Sequence, residues 1–92
     1  MIHVEYEVEV WRSGRYVMAG VPGLDVTSYG PTPEEAIANL QEAMRLFVEE
    51  CARMGSLEEV LEEAGYRQAA DTPAVWSRPI LSRGIHALEV PA

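Results

Sequence analysis

The stretch Val26-Thr27-Ser28-Tyr29-Gly30-Pro31-Thr32-Pro33-Glu34-Glu35-Ala36-Ile37 decides the fold, because the hydrophobic period changes inside it. Before Gly30 the chain is rich in β-formers (Val26, Thr27, Tyr29), which predicts a strand over residues 24–29. After Pro31 it reads as a helix start. Thr32 is the N-cap, Pro33 takes the first helical position, and Glu35 stands where a capping box closes. Glu34 and Glu35 also suit the positive end of the helix dipole. Apolar residues then recur every three or four positions, at Ile37, Leu40, Met44, Phe47, Val48 and Cys51. Glu42 with Arg45, and Glu49 with Arg53, are same-face pairs of favourable sign. Gly55 supplies the stop, so the helix is expected over residues 32–54.

Working outward, residues 2–10 alternate without a break. Ile2, Val4, Tyr6, Val8 and Val10 fall on one side; His3, Glu5, Glu7 and Glu9 fall on the other. Period two predicts a strand with one buried and one wet face. Ser13-Gly14 turns the chain into a second strand over residues 15–20, and Pro22-Gly23 turns it again. On the far side of the long helix, Ser56-Leu57-Glu58-Glu59 repeats the capping-box pattern and predicts a short helix to Ala64, ended by Gly65. Residues 74–77, around Trp76, and residues 85–90 read as further short strands among the prolines of the tail. The expected fold is α/β of the α+β type. It has a three-stranded antiparallel meander, a long and a short helix on one face, and a C-terminal strand, in the order β-β-β-α-α-β.

Ninety-two residues predict one domain, over residues 1–92. Acidic residues outnumber basic ones 15 to 7, a net charge of −8. Binding to nucleic acid needs phosphates neutralised by Lys and Arg, so direct nucleic-acid binding is not expected. If the field has a function it favours a basic partner; solubility alone accounts for it equally simply. All seven basic residues are Arg, a bias that indicates no function. With Cys51 as the one cysteine no intrachain disulfide is possible, which fits the cytoplasm. The N-terminal residues lack the features of a signal peptide, and no stretch approaches the roughly 20 apolar residues of a membrane span. So short a chain buries modest area, and homo-oligomerisation is a fair expectation.

Candidate chemistry is sparse. Glu5, Glu7 and Glu9 line one strand face, but same-face neighbours on a strand stand about 7 Å apart, too far to share one metal ion unaided. They read as a solvated face or a face for a positively charged partner. Cys51 lies on the apolar helical stripe and reads as a core residue, and His3 and His86 have no metal-ligand spacing. The glycines form no phosphate cradle, so no cofactor is expected. Trp11, Trp76, Tyr29 and Tyr66 read either as interface anchors or as core.

Residues 21–43 resemble the HicB-like antitoxin family, small proteins with a partial RNase H-like fold. The most specific part is Gly30-Pro31-Thr32-Pro33-Glu34-Glu35-Ala36, the Gly-x-Thr-x-Glu-Glu-Ala junction between strand and helix. The resemblance covers about the first fifty residues. It implies a non-catalytic module that binds and neutralises a small basic ribonuclease toxin, in keeping with the acidic balance. Leu24 stands where the family often has a cysteine. The tail, broken by Pro73, Pro79 and Pro91, lacks the helices of an operator-binding segment. Within this reading the expected partner contacts are Glu5, Glu7, Glu9 and Trp11. The alternative is a stand-alone homo-oligomer with a structural or small-ligand role and no toxin.

Overall fold

A computed structural model describes residues 2–91; Met1 and Ala92 lie outside them. The elements run β1 (His3–Val4), β2 (Glu9–Ser13), β3 (Tyr16–Val21), β4 (Val26–Gly30), α1 (Pro33–Met54), α2 (Leu57–Glu63), β5 (Arg67–Gln68) and β6 (Val75–Ser77). The fold is α+β, with two helices and two three-stranded sheets ordered β2-β3-β4 and β1-β6-β5.

The first sheet is the expected meander. Ser13 pairs with Tyr16 across the two-residue loop Gly14-Arg15, which sets the register Val10↔Ala19 and Arg12↔Val17. Beyond Pro22-Gly23, Val26 pairs with Val21, Ser28 with Ala19 and Gly30 with Val17. Residues paired directly point to the same face. Val17, Ala19, Val21 and Val26 therefore share one face, and all four are buried beneath α1.

The long helix forms where the sequence places it. The Thr32 side chain accepts a hydrogen bond from the Glu35 amide (3.2 Å), and Pro33 opens the first turn. Ala36, Leu40, Met44 and Cys51 are its buried residues, and the helix packs on β3 and β4. Gly30 permits the close approach at this junction: a Cβ there would sit 2.9 Å from the Ala36 backbone nitrogen. At the other end, Gly55 is left-handed (φ 76°); its amide bonds to Ala52 O and that of Ser56 to Cys51 O. This is a Schellman closure, and Gly65 (φ 93°) with Tyr66 repeats it after α2 on Glu62 O and Leu61 O.

Four expectations are corrected. The alternating run over residues 2–10 is not one strand: β1 ends at Val4 and β2 begins at Glu9. Alternation satisfies the pleat of either sheet, but β1 must reach β6 while β2 must reach β3, so the chain leaves the strand conformation between them. Ser56 does not cap α2 through its side chain, because its amide and hydroxyl both bond to Cys51 O at the end of α1. Arg53 pairs with Glu50 rather than Glu49, and Glu49 joins Glu42 around Arg45; one residue of helical rotation separates the alternatives. Finally, residues 85–90 form no strand: among the described residues they pair with no strand of either sheet, and strand backbone needs a partner for its N–H and C=O groups.

The second sheet closes the chain on itself. β1 runs parallel to β6, through His3↔Val75 and Val4↔Trp76, and β5 pairs antiparallel with β6. Arg67 folds back to donate to the Glu62 and Tyr66 carbonyls, satisfying acceptors at the end of α2. Trp76 and Tyr66 are buried in the same core as Leu57 and Leu61 of α2, which packs against α1. Burial pushes the Tyr66 phenol above its ordinary value, partly offset by Arg78. No helix of the described residues is long and apolar enough to cross a membrane.

Candidate functional site

The β2-β3-β4 sheet has a second face, and its residues follow from the same register. Trp11 is opposite Met18, and Met18 is opposite Tyr29, giving one row across three strands. Glu9, Gly20 and Thr27 form the next row, and Ser13 pairs with Tyr16. Alternation points all of these away from α1.

This face is aromatic and open. Trp11, Tyr16 and Tyr29 keep between 43 % and 59 % of their surface exposed, while Val17, Ala19, Val21 and Val26 on the opposite face are buried. The Trp11 ring lies down over Gly20: a Cβ at that position would stand 3.1 Å from the indole Cη2 and 3.2 Å from the Thr27 methyl. A glycine there thus flattens the ring onto the sheet and holds it. Tyr16 and Tyr29 meet edge to face, with centroids 5.4 Å apart and planes at 76°. The rings thus rest on the sheet or on one another, and contacts of this kind lower the entropy lost when a partner covers them. An exposed sheet face normally carries polar residues. Three aromatics and a methionine make this one an exception of the kind associated with binding.

The carboxylates expected beside Trp11 are distributed unequally. Glu9 lies on the aromatic face, next to the row that holds Trp11, and has no ion-pair partner among the described residues. Glu7 is drawn into the chain's own contacts, pairing with Arg83 and, at 3.7 Å, with Arg78. Glu5 is off the sheet, exposed, with His3 Nε2 4.0 Å from its carboxylate. The structure therefore brings Glu9 and Trp11 together, and places Glu5 and Glu7 on the connection between the sheets.

Two of the four aromatics left open by the sequence, Trp76 and Tyr66, are core, and two, Trp11 and Tyr29, are surface. Tyr16 and Met18 were missed as members of the face. The signal for them was present: a two-residue loop between Ser13 and Tyr16 fixes the parity, which sends Tyr16 and Met18 opposite to Val17 and Ala19. Cys51 is buried in the core. Among the described residues no group of three or more His, Cys, Asp or Glu side chains is placed to hold a metal ion. A groove of about 1000 Å³ lies between the tail (Arg78, Ile80, Arg83) and Glu7, Glu9 and Pro22.

Comparison with family models, with curated proteins and with solved structures gives no match to this chain.

Proposed function

We propose that the chain is a non-catalytic binding module of the HicB-like antitoxin type. In this reading the open face of the β2-β3-β4 sheet receives a small basic protein, a ribonuclease toxin. The observation that carries the reading is that face itself: Trp11, Tyr16 and Tyr29 half exposed, Tyr16 packed edge to face on Tyr29 and Trp11 seated over Gly20, with the Glu9 carboxylate, unpaired among the described residues, beside them. Aromatic anchors supply most of the energy of protein interfaces, and rim charges set partner choice and approach. A net charge of −8 draws a basic partner and disfavours an acidic one. The Gly30-to-Ala36 junction, with its close strand-to-helix contact, supports the family resemblance as a matter of packing.

The test is capture of partners by the tagged chain from the lysate of its own organism, read by mass spectrometry. A small basic protein in stoichiometric amount is the expected result, and charge reversal by Glu9→Arg weakens its retention. Recovery of the bait alone contradicts the reading. A second reading, a homo-oligomer without a toxin, is favoured by one observation: Leu81, Ile85, Leu88 and Val90 of the tail are apolar and exposed.

A further inference from the structure

We infer that the Trp11 end of the open face takes an arginine side chain of the partner, stacked flat on the indole with its N–H edge turned to the Glu9 carboxylate. This site rests on the reading of the chain as a binder of a basic protein, and it specifies the group that the face receives. In the register of the sheet, Trp11 stands in the row with Met18 and Tyr29, whereas Glu9, Gly20 and Thr27 form the next row. The Trp11 ring does not stay in its own row. Its six-membered ring lies over Gly20, where a Cβ would meet Cη2 at 3.1 Å, Cζ3 at 3.3 Å and the Thr27 methyl at 3.2 Å. The indole therefore forms the floor of the neighbouring row, between Glu9 on β2 and Thr27 on β4.

Glu9 and Gly20 are direct partners on adjacent strands, which run about 4.8 Å apart, so a glutamate side chain reaches the edge of a ring seated over Gly20. A cation bound on the outer face of that ring, within about 6 Å of its centre, lies within reach of the carboxylate as well. The chain does not fill this position itself. Among the described residues Glu9 has no ion pair: Arg78 and Arg83 are held by Glu7, and Arg45 and Arg53 pair within α1. Arg12, opposite Val17 in the register, projects to the covered side. Glu9 and Trp11 both remain exposed.

Other occupants satisfy at most one half of this site. An apolar side chain stacks on the indole but buries the Glu9 carboxylate without a partner, which is destabilising. A carboxylate or phosphate is repelled by Glu9 and by the field of a chain with a net charge of −8. An ammonium balances the charge, but it is a compact, strongly hydrated ion with no flat face to lay on a ring. A guanidinium is planar and weakly hydrated. It places one face on the indole and keeps its N–H groups in its own plane, free to donate sideways to the carboxylate. Arginine is thus the side chain that uses Trp11 and Glu9 together.

The test uses the full chain and short labelled peptides in which glycine alternates with arginine, with lysine or with citrulline, the neutral isostere of arginine. Fluorescence anisotropy should show the arginine peptide bound about threefold or more tighter than the lysine peptide, and the citrulline peptide not bound. Trp11→Leu should weaken arginine binding by about tenfold, and Glu9→Gln by about threefold. Glu58→Gln removes the same charge from α2, which packs on α1 at the covered side of the sheet, and should leave binding unchanged. Circular dichroism checks the folding of the variants, and the comparison of peptides on the wild-type chain needs no variant. Equal binding of the arginine and lysine peptides, or equal effects of Glu9→Gln and Glu58→Gln, means a diffuse field alone and overturns the site. If that happens while a basic protein is still captured from the lysate, the reading of the chain stands and the site falls; capture of the bait alone brings down both.

Discussion

The two faces of the β2-β3-β4 sheet are built from interleaved residues of the same three strands, yet they have opposite fates. Val17, Ala19, Val21 and Val26 are closed under α1; Trp11, Tyr16, Met18 and Tyr29, one position out of phase, face outward. Area already removed from water stabilises the fold, while area left exposed is available to a partner. The comparison therefore separates residues that maintain the sheet from residues that the sheet presents. It also assigns a separate job to each glycine: Gly30 admits the helix to the covered face, and Gly20 seats the Trp11 ring on the open one.

The largest effect should come from the covered face. Leu40→Ala empties the centre of the helix–sheet contact and should cost about 2–5 kcal/mol in denaturant unfolding; a cost below 1 kcal/mol would mean that α1 does not seal the sheet. Next comes Gly30→Ala, whose methyl would meet backbone at 2.9 Å and should cost about 1–3 kcal/mol. Its counterpart Gly20→Ala meets only side-chain atoms of Trp11 and Thr27, which can shift, so its cost should be the smaller of the two. Equal costs would break the distinction between the glycines.

Capping gives a smaller and more local contrast. Thr32→Ala removes the side-chain acceptor at the start of α1 and should lose about 1 kcal/mol. Ser56→Ala should lose much less, because no side-chain cap is formed there. The open face, too, should respond far less than the covered one. Trp11→Ala should change unfolding by about 1 kcal/mol or less, since half the ring is already in water. A larger loss would place Trp11 among the residues that hold the sheet together.

Local signals made much of this legible in advance. Thr32, Pro33 and Gly55 mark the long helix because capping chemistry is encoded by single residues, and the Ser13-Gly14 turn marks the hairpin for the same reason. What escaped was non-local. Alternation across residues 2–10 cannot reveal that its two ends join different sheets, and Arg67–Gln68 is too short a strand to show a period. Ser56 has the composition of an N-cap, but the preceding helix uses its amide and hydroxyl first. At the site, Trp11, Tyr29 and Glu9 were recognisable as residues, whereas their neighbours Tyr16 and Met18 depend on register. The withdrawal of Glu7 depends on Arg78 and Arg83, some seventy positions away along the chain.

The central claim, that the open aromatic face is the binding surface, is tested most directly by one affinity ratio. The basic protein captured by the wild type is titrated against the wild-type chain and against Trp11→Ala, with both baits checked for equal folding. The account predicts binding weaker by about 30-fold or more in the variant, the ratio that corresponds to a hot-spot loss of about 2 kcal/mol. Equal affinity for the two chains would contradict it and move the interface off this face.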